Sequence, residues 1–190
     1  MKNPGTVCFV DNPGPSRYTI KSIKEGGLTG FVQGKKILPG CGHDEGRKLL
    51  EQMYRQHVGG PMPEIAVADR GKPYFTEGPW HFSISHSKHH VFCVLSQKRV
   101  GIDAEEMDRS VNLRLADKIL SPAERQQYEK AEDQRLALLK LWVLKEAQVK
   151  CTGEGLRGYP NQTQFLLTDP RVRQLEGCLV AVSEEDDHVI

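Results

Sequence analysis

The sequence predicts a soluble globular fold in which short antiparallel strands precede a helical stretch. Three observations predict it. Trp80 to Ser87, Val91 to Leu95 and Val100 to Ala104 come one after another, alternating or wholly apolar, with short polar turns between them. After Asp108 the apolar residues change to helical spacing. The composition is that of an ordinary folded domain, 38% hydrophobic and 27% charged, with a mean hydropathy of −0.50.

A chain of 190 residues forms one domain or two small, tightly joined halves. A domain of that size buries roughly 70% of its unfolded surface, so its core needs no metal or disulfide staple. Lys and Arg number 26 against 25 Asp and Glu, a net charge of +1. That balance excludes an all-over polyanion binder, although a local basic patch fits inside a neutral total. The five cysteines, Cys8, Cys41, Cys93, Cys151 and Cys178, are scattered, with no C-x-x-C pair. This suits a reducing cytoplasm better than a disulfide framework. Met1 to Pro15 lacks the basic and apolar regions of a signal peptide. The longest apolar run, Val91 to Leu95, is far too short to cross a bilayer.

In chain order, Thr6 to Val10 reads as a short strand. Gly26-Gly27, Gly30, Gly34 and Pro39-Gly40 then cut the chain into turns and short extended pieces. Asp44 to His57 is the first helix, capped by His43 or Asp44, with Leu49, Leu50, Met53 and Tyr54 at helical spacing and Gly59-Gly60-Pro61 as its stop. Residues 61–80 form a proline-punctuated loop. Trp80 to Ser87 is a strand entering a polar turn. Val91 to Leu95 and Val100 to Ala104 are expected to pair antiparallel through the turn Ser96-Gln97-Lys98-Arg99. Val111 to Leu120 reads as one helix. Ser121-Pro122-Ala123-Glu124 opens another, with Ser as cap, Pro at the first position and Glu at the third. Arg135 to Lys150 is the longest helix, ended by Gly153 and Gly155. Phe165 to Leu167 and Cys178 to Val182 close the chain as strands, with the acidic tail Glu184 to Asp187 after them.

Four patterns carry chemistry. In Gly101-Ile102-Asp103-Ala104-Glu105-Glu106, Asp103 and Glu105 share one face of a strand while Ile102 and Ala104 share the other. Such a pair is either a solvated strand end or two like charges neutralised by a hard cation such as Mg2+. In Lys145-Glu146-Ala147-Gln148-Val149-Lys150, Glu146 and Lys150 stack with Trp142 on one helix face. Glu and Lys at this spacing are usually surface support, but the tryptophan turns them inward, where Glu146 becomes a third carboxylate. Ser85-His86-Ser87 ends a strand and offers hydroxyls, an imidazole and backbone N–H groups to a phosphate. A Ser/His nucleophile lacks its G-x-S-x-G context, and His89 and His90 read as structural. Gly71-Lys72-Pro73 alone is an ordinary loop, and Lys35, Lys36, Arg47 and Lys48 are ordinary surface charges.

The ordered set, Gly71-Lys72-Pro73, Phe82 to Ser87, Val100 to Glu105, Leu120 to Glu124 and Trp142 to Lys150 with glycine after it, resembles the 4′-phosphopantetheinyl transferase superfamily, in its longer pseudo-dimeric type that acts on carrier domains. The motifs span residues 71–156. The resemblance implies an α+β fold of two similar halves, near 1–97 and 98–190, each a small antiparallel sheet packed with helices, with a cofactor cleft between them. It implies a cytoplasmic, monomeric, Mg2+-dependent enzyme that moves the phosphopantetheine arm of coenzyme A to a serine of an acyl, peptidyl or polyketide carrier protein and releases 3′,5′-ADP. Nucleic acid and membrane are not expected partners. By resemblance Asp103, Glu105 and Glu146 hold the metal; Lys72, Ser85 and His86 hold the nucleotide phosphates; Lys145 and Lys150 meet the cofactor phosphates; Arg47 lies near the adenosine. Glu146, Lys150 and His86 are the expected catalytic groups, with Glu146 taking the serine proton and Lys150 meeting the departing charge. The chain departs from the pattern at Ser83, where Asn is usual, and at Ala104, where a larger aliphatic residue is usual. Glu106 is a spare acid able to replace Glu105. Two other functions use the same residues: a Mg2+-dependent phosphodiester hydrolase with water as nucleophile, and a non-catalytic coenzyme-A-binding module.

Overall fold

The structure, a computed structural model, describes residues 9–11, 17–21, 30–154 and 163–185. It is an α+β fold of small antiparallel sheets and helices. Strands β1 (Phe9–Asp11), β2 (Arg17–Lys21), β3 (Phe31–Lys36), β6 (His81–His86) and β7 (His90–Ser96) form a five-stranded sheet in the order β1-β2-β3-β7-β6. β4 (Ile65–Val67) and β5 (Pro73–Phe75) make a separate hairpin within the proline-punctuated stretch. β8 (Val100–Glu106), β9 (Val172–Leu175) and β10 (Cys178–Glu184) form a second sheet in the order β8-β10-β9. Thr6 to Cys8, Gly26-Gly27, Gly155 and the tail beyond Glu185 lie outside the described residues.

Four layers result from where each element hides its apolar side. Helix α1 (Gly42–His57) lays Leu49, Leu50, Met53 and Tyr54 on the outer face of the first sheet, against Phe82, Val91, Cys93 and Leu95. The inner face of that sheet, Val32, Phe92 and Val94, meets Val100, Ile102, Ala104 and Val180 of the second. Helix α4 (Gln134–Thr152) covers the far side, packing Leu138, Leu141 and Leu144 in one core with Leu179 and Ala181. β7 is buried along its whole length because both its faces are covered. Among the described residues no helix is long and apolar enough to cross a membrane.

Helix ends obey local chemistry. Ser121 and Glu124 form the expected reciprocal capping box at α3 (Pro122–Glu129). The side chain of Asp133 accepts the N–H of Leu136 at the start of α4, and Gly153, with φ of 75°, closes its end. At α1 the expected cap differs. The helix begins at Gly42 with Cys41 in the cap position, and no side chain caps it.

Three expectations are corrected. Val91–Leu95 and Val100–Ala104 do not pair. The turn between them leads from one sheet to the other, so β7 pairs with β3 and β6 while β8 pairs with β10. Residues 111–120 are not one helix but a 3-10 turn, Leu113–Leu115, running into the four-residue α2 (Ala116–Ile119). Phe165 to Leu167 is not a strand. Its backbone is satisfied by side chains of α3 instead: Phe165 N–H donates to Glu124, Leu167 N–H to the Gln127 carbonyl, and the Gln127 amide donates to the Phe165 carbonyl.

Candidate active site

Three elements converge on one spot because β8 has no bulk where α4 crosses it. At Gly101 an added Cβ would lie 2.1 Å from the Ala147 carbonyl oxygen and 2.3 Å from the Cys151 nitrogen. The helix backbone therefore rests on the strand backbone. Two residues further along the same face, Asp103 is 5% exposed and meets the next turns of α4. Lys150 Nζ donates to Asp103 Oδ1 at 2.6 Å, and Ser85 Oγ of β6 donates to the same oxygen at 3.0 Å. Lys150 also donates to Ser85 Oγ at 3.2 Å. The expected inward face of α4 is thus present, with Trp142, Glu146 and Lys150 all half-buried.

Glu146 stands beside this cluster. Burial pushes its carboxyl above the usual range, the negative charge of Asp103 pushes the same way, and Lys150 opposes both. Glu146 Oε1 and Asp103 Oδ2 are each buried without a hydrogen-bond partner. Two unpartnered carboxylate oxygens on neighbouring groups fit a divalent, oxygen-preferring cation. The third expected ligand is not gathered with them. Glu105 is paired with Arg109, its i, i+4 neighbour in the chain. Among the described residues no three His, Cys, Asp or Glu side chains stand close enough to enclose a metal.

Glu106 is equally engaged elsewhere, and strand alternation explains why. It points to the face opposite Glu105, where it accepts the Ser87 hydroxyl at 2.9 Å and the His89 N–H at 2.7 Å. His86 is exposed at the end of β6, with its ring against Gly42 at the start of α1. Arg47 is exposed on α1. Lys72 reaches the end of α4, where its ammonium donates to the Cys151 carbonyl at 2.7 Å and to the Val100 carbonyl at 3.3 Å. Burial lowers its pKa. Lys72 and Lys150 also line a groove of about 230 Å³ between the Gly71-Lys72-Pro73 loop and α4.

Lys145 is not brought to this spot. It points into the core between α3 and α4, 2.8 Å from Glu124, with side-chain exposures of 2% and 0%. It also donates to the Thr163 carbonyl at 2.7 Å. The Glu of L-S-x-x-E and the first Lys of W-x-x-K-E are therefore partners in one buried ion pair. Sequence reasoning also missed Arg109, whose signal was its i, i+4 spacing from Glu105; strand alternation puts Ser83 and Ser85 on one face, but nothing in the sequence said what that face meets.

Comparison with known proteins bears on this cluster directly. Residues 99–184, which carry Asp103, Glu146 and Lys150, match the family model of the 4′-phosphopantetheinyl transferase superfamily. Over this segment the chain is similar to that superfamily. Its similarity to individual superfamily members is consistent. It is 34% identical over 115 residues to the 4′-phosphopantetheinyl transferase psf-1 of Bacillus pumilus, covering 58% of this chain and 47% of that protein. It is 36% identical over 95 residues to a 4′-phosphopantetheinyl transferase of Bacillus subtilis, covering 48% and 42%. It is 36% identical over 113 residues to the 4′-phosphopantetheinyl transferase AcpT of Escherichia coli O157:H7, covering 57% and 55%. The chain spans about half the length of these curated relatives.

Proposed function

We propose that this chain is a member of that superfamily and transfers the 4′-phosphopantetheine arm of coenzyme A to a serine hydroxyl of a carrier protein, with Mg2+ and with release of 3′,5′-ADP. The observation that carries the reading is the buried convergence of Asp103, Glu146, Lys150 and Ser85 from two strands and a helix. Asp103 and Glu146 would hold the metal, and Glu105 would join them on leaving Arg109. Bound there, Mg2+ supplies charge neutralisation for the pyrophosphate.

The chain's own residues do the rest. A serine hydroxyl is a weak nucleophile, and Glu146 is the base that accepts its proton, directly or through a water. The serine oxygen bonds to the phosphorus that carries the pantetheine arm, and the bond from that phosphorus to the 3′,5′-ADP oxygen breaks. Lys150, half-buried beside Asp103, faces the charge that develops on the departing diphosphate. Lys72 and His86 would meet the nucleotide phosphates and Arg47 the adenosine end. Lys145 has no part in the reading, because its ammonium is committed to Glu124. The halves 1–97 and 98–190 would flank the cofactor, in a monomer working in the cytoplasm. A second groove, of about 400 Å³, is lined by the basic residues Arg109, Arg114 and Lys118 and by the apolar residues Val111, Leu115 and Trp142. Its positive charge and apolar lining suit a carrier with acidic and apolar surface residues.

The test is incubation of the full chain with coenzyme A, Mg2+ and several apo carrier proteins, with intact mass as the readout. The expected result is a carrier heavier by one phosphopantetheine arm, with the gain lost on chelation. No gain on any carrier overturns the reading.

A further inference from the structure

β6 and β8 are neighbouring edge strands of different sheets, yet no backbone ladder joins them. Side chains do it instead. Ile102 N–H donates to Ser83 Oγ at 3.2 Å, Ala104 N–H to Ser85 Oγ at 3.1 Å, and Ser87 Oγ donates to Glu106 Oε1 at 2.9 Å. Each pair is separated by 19 residues. The partners ascend together, so the two edges run in the same direction with one serine for every second residue of β8. Glu106 closes the end of the row by also accepting the His89 N–H at 2.7 Å, which ties the 87–90 turn to the strand. Ser83 is 6% exposed and Ser85 5% exposed, so these bonds lie inside the protein, where a lost partner is costly.

We propose that this serine row and its Glu106 clasp set the register between the element bearing Ser85 and His86 and the elements bearing Asp103, Glu146 and Lys150. Ser83 and Glu106 are then positioning residues for the transfer reaction. The need for such a device lies in the strand itself. Asp103 and Glu105 are both acidic and share a face, so a slip of two residues would put Glu105 in front of Ser85 in place of Asp103. A slip of one would turn both away. Ser85 is the hinge of the arrangement. Its hydroxyl accepts from Ala104 and Lys150 and donates to Asp103, which uses its whole hydrogen-bonding capacity. The functional half of the inference rests on the transferase reading; the structural half does not.

The experiment tracks individual amides by hydrogen exchange in the full chain, beside the transfer assay. Ser83→Ala is expected to speed exchange of the Ile102 amide about tenfold while Val94 in the core keeps its protection. Glu106→Ala is expected to do the same at His89 and to lower kcat at least about tenfold. Glu106→Gln, which keeps an acceptor oxygen for Ser87 and His89, should restore both; a ligand role that needs the negative charge would leave Gln as poor as Ala. An unmoved Ile102 amide in Ser83→Ala, or equal damage from Gln and Ala at position 106, overturns the proposal. If Ser83→Ala does not fold, the His89 amide in the two Glu106 variants decides. If the wild-type chain transfers nothing, the transferase reading falls and the amides still judge the row.

Discussion

Replacing Gly101 by alanine puts one methyl group between β8 and α4. The added carbon would lie 2.1 Å from the Ala147 oxygen, 2.3 Å from the Cys151 nitrogen and 2.8 Å from the Lys150 carbonyl carbon. Non-bonded atoms settle near 3.5–4.0 Å, so the helix must retreat by about 1 Å or more. All three atoms are helix backbone, so no rotamer change relieves the clash. Overpacking of this kind costs about 3 kcal/mol, which for a chain of this size lowers the melting temperature by about 6–12 °C. The same retreat carries Lys150 and Glu146 away from Asp103, and a misplacement of about 1 Å costs about 100-fold in rate. Gly46→Ala is the control. Its new methyl meets the Ile84 Cγ2 at 2.8 Å, the end of a side chain, and a helix interior favours Ala over Gly by about 1 kcal/mol. Thermal melts and the carrier-mass assay on both variants are the measurements. A Gly101→Ala protein that melts within a degree of wild type and transfers at its rate would refute the claim that backbone contact at this crossing builds the site.

Single contacts set the other outcomes. Lys145→Ala removes the counter-ion of buried Glu124 and leaves its charge only the Ser121 and Phe165 N–H groups, costing about 3–5 kcal/mol and lowering the melting temperature by about 10 °C or more, while each folded molecule keeps its transfer rate. A matching loss of rate per folded molecule would return Lys145 to the phosphates. Glu146→Gln removes a buried charge beside Asp103, so the variant should melt above wild type at neutral pH while kcat falls about 100-fold or more. Burial holds His81 below its usual 6.5, and Lys72 and Arg99 push the same way. The folded state thus binds fewer protons here than the unfolded chain. The stabilisation is present above pH 6.5 and is lost as pH falls from there through the lowered value, so His81→Gln should flatten the acid decline in melting temperature. An unchanged decline in the variant would remove His81 as its cause.

The apolar patterns are local information, and reading them along the chain yields whatever depends on them alone: α1 and α4 with their buried faces, the Ser121–Glu124 capping box, the Gly153 stop, and strands at 80–87, 91–95, 100–104 and 178–182, each within two residues of its observed ends. It also yields the shared face of Asp103 and Glu105 and the inward turn of Glu146 and Lys150 with Trp142, because the periods of 2 and 3.6 residues settle facing without a partner. Who meets whom was settled in three dimensions. The turn at 97–99 is as short as a hairpin loop, yet serine hydroxyls of β6 occupy the edge of β8 that a hairpin partner would have taken. Lys145 and Lys150 look alike in the motif, but five residues of helix turn one into the core beside Glu124 and leave the other on Asp103. Glu105 and Glu106 are equally acidic, and which cation or donor each finds depends on Arg109 and on the 87–90 turn lying on opposite sides of one strand. Pairing is a property of distance in space, and a chain read in order carries that only where the partners happen to be neighbours.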